Sequence, residues 1–125
     1  MRHPPINPLF HFTCDHGEMG ILASGGLIKP NEFTGLIWLT DMPRANPDAL
    51  GLTRDWIKCD RTQHRFTVTD VDRVIWWPEF RRALSPAARA WGETLEMAPN
   101  ARPVHWYVTT EPVRGFTDVE INAPR

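Results

Sequence analysis

The sequence predicts an α+β fold with a few short helices, built as a single domain. Three observations lead to this prediction: the chain has 125 residues, its 12 prolines and 8 glycines are spread along it, and its apolar runs are short. Short elements separated by proline and glycine favour a compact α+β or β-rich fold over a helical bundle. A chain of this length forms one domain. We expect residues 1–7 to be a flexible N-terminal arm and residues 8–123 to be the domain.

The first forty residues predict a strand, a short helix and a second long strand. The aromatic and apolar segment 9–13 is typical of a strand. Apolar residues at helical spacing predict a short helix over 16–24, which the following glycine pair ends. After an extended segment and a turn, the apolar run 35–40 is the clearest buried strand in the chain.

The rest of the chain predicts helices enclosed by strands. Segment 70–97 is expected to be helical, with Asp70 capping a first turn. Ser85 and Pro86 suit the N-cap and first position of a helix over 87–97. The remaining strands are expected at 56–59, 65–69, 104–109 and 116–121.

Composition and charge narrow the class of function. The net charge of −1 provides no overall field that would attract the protein to nucleic acid or anionic lipid. No apolar run approaches the length of a membrane span, and no charged-then-apolar segment opens the chain, so we expect a cytoplasmic protein, in its own cell or in a host. Most of the 14 basic residues are arginines, a bias that favours an anionic ligand.

An ordered series of short motifs in the first forty residues indicates a chemistry. The series is His11-Phe12-Thr13, the run Gly-Ile-Leu-Ala-Ser-Gly-Gly-Leu over 20–27, Pro30, and the run Gly-Leu-Ile-Trp-Leu-Thr-Asp over 35–41. It resembles the NAD-binding half of ADP-ribosyltransferases over about a third of the chain. The resemblance implies a split β-sandwich, in which two small, roughly orthogonal sheets hold NAD in the cleft between them.

The resemblance also implies an activity and a co-substrate. We expect transfer of ADP-ribose from NAD to a macromolecular acceptor, a protein or a nucleic-acid base, with release of nicotinamide. Small stand-alone transferases of this kind often act as toxins, phage-encoded modifiers or defence factors.

Residues on two strands are expected to hold the nicotinamide end of NAD. His11 is expected to bond a ribose hydroxyl, the backbone of Phe12 to hold the carboxamide, and the Thr13 hydroxyl to assist. Trp38 is expected to supply an aromatic wall, with Thr40 on the same strand in the binding set. The enzyme prediction as a whole depends on the rings of His11 and Trp38 lining one cleft from adjoining strands. Side chains on opposite faces, with no groove between them, would favour a compact structural or binding domain instead.

A carboxylate is expected to complete the catalytic group. Breaking the nicotinamide–ribose bond develops positive charge, which a nearby carboxylate stabilises. The family's catalytic Glu lies at the start of a late strand, and Glu111 is the matching candidate, which makes His11 and Glu111 the expected catalytic pair. Pro112 follows where the family has an aromatic strand residue, so Asp60 and Glu120 are kept as alternatives.

Arginines are the residues expected to bind the pyrophosphate of NAD, and they also suggest one rival function. Arg61 and Arg65 are expected to clamp the pyrophosphate, because guanidinium groups bond phosphate oxygens in pairs. The same residues with Arg54 and Arg73 would suit an enzyme that resembles tRNA 2′-phosphotransferases and uses NAD to remove an RNA phosphate. A second rival is a binding module of the same fold without catalysis.

A zinc site is the remaining alternative, and we expect no metal. The potential ligands are Cys14, His16, Cys59 and His64, but the spacing of the first two differs from that of a zinc knuckle. Both cysteines are expected to be thiols packed as small apolar side chains. The corresponding structural interpretations of His11 and Trp38 are a hydrogen-bonded core histidine and a core aromatic residue.

Overall fold

The computed structural model describes residues 8–13, 15–32, 34–44, 64–98 and 100–117. In these ranges helices and antiparallel strands mix, as the predicted α+β class requires. Several predicted features lie outside the described residues: the arm at 1–7, the strand at 56–59, Cys14, Arg54, Cys59, Asp60, Arg61 and Glu120.

Antiparallel strands of the described chain form one seven-stranded sheet. They are β1 (Leu9–Thr13), β2 (Leu27–Ile28), β3 (Ile37–Thr40), β4 (His64–Val68), β5 (Ile75–Trp76), β6 (Trp106–Thr109) and β7 (Val113–Thr117). Their order across the sheet is β2-β7-β4-β1-β3-β6-β5. The strands predicted at 9–13 and 35–40, which are β1 and β3, are therefore neighbours.

The helices of the described chain are α1 (Asp15–Ala23), α2 (Trp77–Arg82) and α3 (Pro86–Glu96), and Pro103–His105 form a 3₁₀ turn. The expected start of α3 is confirmed, because the Ser85 hydroxyl accepts a hydrogen bond from the Ala88 N–H at 3.3 Å and Pro86 is the first helical residue. Within the described ranges, no helix is long and apolar enough to cross a membrane.

The segment expected to be helical from residue 70 is the main error in the predicted elements. Residues 69–74 form a turn, which the buried side chains of Val71 and Val74 hold against the core. The short strand β5 follows, and its Trp76 pairs with Tyr107 of β6. Two apolar residues suit a strand as well as a helix. These two form a strand because they pair with the edge of β6 that β3 leaves unoccupied. The last strand also begins earlier than expected, at Val113, and residues 118–121 of its predicted span lie outside the described residues.

The two faces of the sheet carry separate apolar clusters. On the first, which we call the histidine face because it carries His11, buried residues pack with Ile21 of α1: Leu9, Ile28, Ile37, Leu39, Phe66, Val68, Val71, Val74, Tyr107 and Val113. On the second, the tryptophan face, helix α2 contributes Trp77 to a cluster with Leu36, Trp38, Trp106 and Val108. Successive side chains of a strand point to opposite faces, which explains why neighbours such as Trp38 and Leu39 belong to different clusters.

Candidate functional site

The joint between β1 and β3 is the least paired in the centre of the sheet. Among described residues, only Phe10 and Thr40 are in register there. By contrast, β1 has five residues in register with β4, and β3 has four in register with β6. Regular pairing between the halves β2-β7-β4-β1 and β3-β6-β5 of the sheet is therefore confined to one residue pair. We call the stretch of β1 and β3 without regular pairing the β1/β3 gap.

The imidazole of His11 spans the β1/β3 gap. Its Nδ1 lies 2.9 Å from the carbonyl oxygen of Trp38. Since a carbonyl oxygen only accepts, Nδ1 carries the proton and donates, which makes Nε2 the acceptor nitrogen of the neutral ring. The half-buried imidazole thus contacts the backbone of β3 where regular strand pairing has stopped, and this hydrogen bond fixes its position.

The prediction that the rings of His11 and Trp38 line one cleft is wrong. Leu9 belongs to the cluster of the histidine face, and alternation along β1 places His11 on that same face. The indole of Trp38 lies on the tryptophan face, with its ring centroid 4.8 Å from that of Trp77. Helix α2 therefore buries the indole against other aromatic rings, and only the backbone of Trp38 takes part in the gap.

Three polar side chains meet at one end of the histidine face, and we call them the Asp41 cluster: Asp41, His105 and Tyr107. Asp41 directly follows β3 and His105 directly precedes β6, and the pairing of Thr40 with Trp106 brings them together. The His105 Nδ1–H donates to Asp41 Oδ1 at 2.8 Å. The exposed fractions are 31% for the His105 side chain and 19% for that of Asp41, so solvent reaches both groups.

The hydroxyl of Tyr107 is the second group directed at Asp41. Burial raises the pKa of Tyr107 to about 12, and the nearby negative charge of Asp41 adds to the rise. The hydroxyl therefore keeps its proton at neutral pH. The hydrogen bond that holds the Asp41 carboxylate comes from His105.

The Asp41 cluster lies on the same face as His11, but on the other side of the Phe10–Thr40 pair from the Trp38 carbonyl that His11 contacts. Leu39 is in register with Tyr107, and the pair Phe10–Thr40 places Asp41 one diagonal step from His11. Diagonal neighbours on one face of an antiparallel pair are about 7–8 Å apart. Asp41 is therefore near His11 on this face, whereas His105, beside β6, is two strands from β1.

The structure does not bring Glu111 to His11. Glu111 lies in the turn between β6 and β7, where its side chain is 47% exposed and pairs with the Arg73 guanidinium. This hydrogen bond, with the charge of Glu111, raises the pKa of Arg73. Glu111 is four residues beyond Tyr107 along the chain, and β6 is two strands from β1. Ideal strand spacings put it roughly 15 Å from His11.

Arg65 does not form the expected phosphate clamp. Its side chain is 6% exposed, and Nη1 donates to the carbonyl oxygen of Pro43 at 2.6 Å. The guanidinium carbon also lies 4.6 Å from the ring centroid of Phe10. Arg65 is in register with Phe12, whose side chain is on the face opposite His11. The cation thus fixes the segment after β3 and is buried on the face opposite His11.

The other predicted binding residues have mixed positions. Thr40 is buried on the tryptophan face, where its hydroxyl accepts a hydrogen bond from the Met42 N–H at 3.1 Å. The ring of Phe12 is buried, and the role expected for its backbone stays a prediction. Thr13 is half-buried against α1, where a Cβ at Gly17 would lie 1.9 Å from the Thr13 hydroxyl.

A second imidazole–carboxylate pair lies at the other end of the histidine face. His64 Nδ1 is 2.9 Å from an oxygen of Glu18, which connects β4 to α1. Both side chains are about as exposed as those of Asp41 and His105. Across the described ranges, no group of three or more His, Cys, Asp or Glu side chains could hold a metal ion.

The sequence did not predict the Asp41 cluster, although Asp41 is the last residue of the motif over 35–41. The available signal was position, since one polar residue directly follows a buried strand and His105 directly precedes another. No protein-family model, curated protein or solved structure matches the chain. The resemblance to ADP-ribosyltransferases therefore stays a prediction, and the geometry of the gap has to support any function.

Proposed function

We propose that this protein transfers ADP-ribose from NAD to a macromolecular acceptor, and that the β1/β3 gap receives the nicotinamide–ribose end. The observation that carries the proposal is the imidazole of His11, placed across two neighbouring strands that pair at a single residue. The proposal replaces the cleft lined by His11 and Trp38, whose rings lie on opposite faces, with the β1/β3 gap, and takes this gap as the cleft of a split sandwich.

The groups around the gap suit the proposed reaction. His11 is positioned to bond a ribose hydroxyl, and the adjacent backbone of Phe12 to hold the carboxamide. When the bond between the anomeric carbon and nicotinamide breaks, its electron pair goes to the nicotinamide nitrogen and positive charge develops on the ribose. Asp41, on the same face and one diagonal step from His11, supplies the stabilising negative charge that was expected of Glu111.

The proposed function is tested by nicotinamide release from NAD, with water as the acceptor. We expect release by the wild-type protein and a loss of about 10-fold or more in kcat/KM for His11→Ala, because one positioned hydrogen bond to substrate is removed. His64→Ala is the matched control, since it removes another half-buried imidazole from the same face. Calorimetric titration with NAD measures binding separately.

The outcomes separate the remaining interpretations. Binding of NAD without nicotinamide release would indicate a non-catalytic binding module. Neither binding nor release would overturn the proposal. The RNA-directed rival gains no support from the described arginines, because Arg65 is buried and Arg73 is paired with Glu111.

A further inference from the structure

We propose that a protein acceptor docks on the outward side of helix α1, the side formed by Met19, Gly20, Leu22 and Ala23. We call this surface the α1 face. The inference rests on the proposed function and chooses between the two acceptor classes that it leaves open, a protein and a nucleic acid. It depends on the composition of the helix, its position beside the β1/β3 gap, and the distribution of charge over the two faces of the sheet.

Helix α1 is apolar on the side that meets solvent as well as on the side that meets the core. Ile21 is buried in the cluster of the histidine face. On the outward side, Met19 is 68% exposed and Leu22 is 53% exposed, with Gly20 and Ala23 exposed beside them. The outer side of a surface helix is normally polar, and apolar side chains grouped in solvent are typical of interaction sites.

The α1 face lies next to the part of the β1/β3 gap that His11 occupies. Helix α1 begins two residues after β1 ends at Thr13. Its first turn packs on that residue, since a Cβ at Gly17 would collide with the Thr13 hydroxyl. Thr13 and His11 are on one side of the Phe10–Thr40 pair, where β1 and β3 have no regular pairing. A protein on the α1 face is therefore close to the proposed position of the ribose.

Charge separates the two faces of the sheet. In the described strands, the positions on the histidine face include no lysine or arginine, and helix α1 contains none. Arg65 and Arg114 of the strands point to the other face, because their neighbours Phe66 and Val113 belong to the cluster of the histidine face. Nucleic acids are bound mainly through lysine and arginine contacts to many phosphates, whereas NAD carries only two. The surface beside the gap therefore suits a protein acceptor better than a nucleic acid.

The size of the α1 face indicates a transient complex and not a stable dimer of this chain. Each partner of a stable complex contributes about 800 Å² of surface. The α1 face provides two large side chains, Met19 and Leu22, and two small residues, which is far below that area. An acceptor that leaves after modification needs only a transient contact, so the α1 face fits an acceptor better than a second copy.

Transfer of label from NAD tests the proposal. NAD labelled in the adenylate phosphate is incubated with the wild-type protein and either a nuclease-treated cell extract or nucleic acid purified from the same cells. We expect label in proteins of the extract and none in the nucleic acid. Nicotinamide release is measured in the same samples, and the readout is the ratio of bound label to nicotinamide released.

Two substitutions on the α1 face test where the acceptor docks. Met19→Glu and Leu22→Glu should each lower the ratio by about 10-fold, because each places a charge in the apolar contact. Glutamate is a good helix former, so α1 should be retained. Met97→Glu is the matched control, since it makes the same change at a methionine that is 79% exposed at the end of α3.

Each result decides the proposal. Label in the nucleic acid, label confined to the protein's own chain, or no labelled protein at all would overturn it. Equal ratios for Met19→Glu, Leu22→Glu and Met97→Glu would also overturn it and would leave the proposed function standing. If the wild-type protein releases no nicotinamide even in water, the proposed function fails and this inference with it. Should the glutamate variants of α1 not fold, Leu22→Ala, which removes apolar surface without adding a charge, decides in the same way.

Discussion

The two faces of the sheet differ in the side chains that they carry. On the tryptophan face, four indoles pack together, and the Trp77 ring lies within 6.3 Å of its aromatic neighbours. On the histidine face, an apolar centre ends in polar groups at the least paired joint of the sheet. One face is therefore packed with aromatic rings, whereas the other carries polar groups near the strands whose pairing is least complete.

The largest expected effect is on the stability of the tryptophan face. Trp77→Ala removes a side chain that is 0% exposed, and we expect it to lower the free energy of unfolding by about 3–5 kcal/mol. Urea denaturation followed by circular dichroism measures the loss. His105→Gln on the other face should change the same quantity by less than about 1 kcal/mol. Equal losses from both substitutions would contradict the distinction between the faces.

A smaller loss is expected where α3 meets the same aromatic cluster. A Cβ at Gly92 would lie 2.9 Å from the ring of Trp77, which other side chains enclose. Gly92→Ala should therefore destabilise the protein by about 1–3 kcal/mol through overpacking, despite the higher helix propensity of alanine. A stabilised variant in the same denaturation experiment would show that the ring has room to move.

The histidine face is expected to show its own pH dependence. The pKa of Tyr107 is raised in the folded protein to about 12, from an ordinary value of 10.0. Its contribution to stability is therefore complete below about pH 10 and is lost as the pH rises through 12. Tyr107→Phe should reduce this decline while costing about 1–2 kcal/mol at neutral pH. Thermal unfolding between pH 8 and pH 12 tests the sign, and identical pH profiles would disagree with it.

The smallest effect is expected at Glu111. Its ion pair with Arg73 is exposed, and exposed pairs contribute little to stability. Because Glu111 is far from the gap, Glu111→Gln should leave both unfolding and nicotinamide release unchanged. A large loss of release with a normal fold would restore Glu111 to the catalytic group and would move the active site toward the turn between β6 and β7.

The sequence predicted local features well because they depend on local chemistry. The strand at 9–13, the helix that ends before Gly25, and the Ser85–Pro86 start of α3 were all readable from alternation or capping residues. The two-residue strand β5 was not, since it exists only through its pairing with β6. Its sequence fits either type of element.

The site was only partly predictable for a different reason. His11 could be singled out, but the face on which Trp38 lies depends on where α2 packs. Asp41 and His105 are 64 residues apart, and only the register of β3 with β6 brings them together. No sequence pattern around Arg65 indicated that its side chain would be buried against Phe10. Residue types were visible, but the contacts between distant segments were not.

The central claim is that NAD enters at the gap between β1 and β3 from the histidine face. Nuclear magnetic resonance of ¹⁵N-labelled protein during titration with NAD tests it most directly. The account predicts that the amide signals of His11, Phe12 and Asp41 shift together, while the indole signal of Trp77 stays in place. Shifts centred on Trp77 and Trp106, with none at His11, would contradict it.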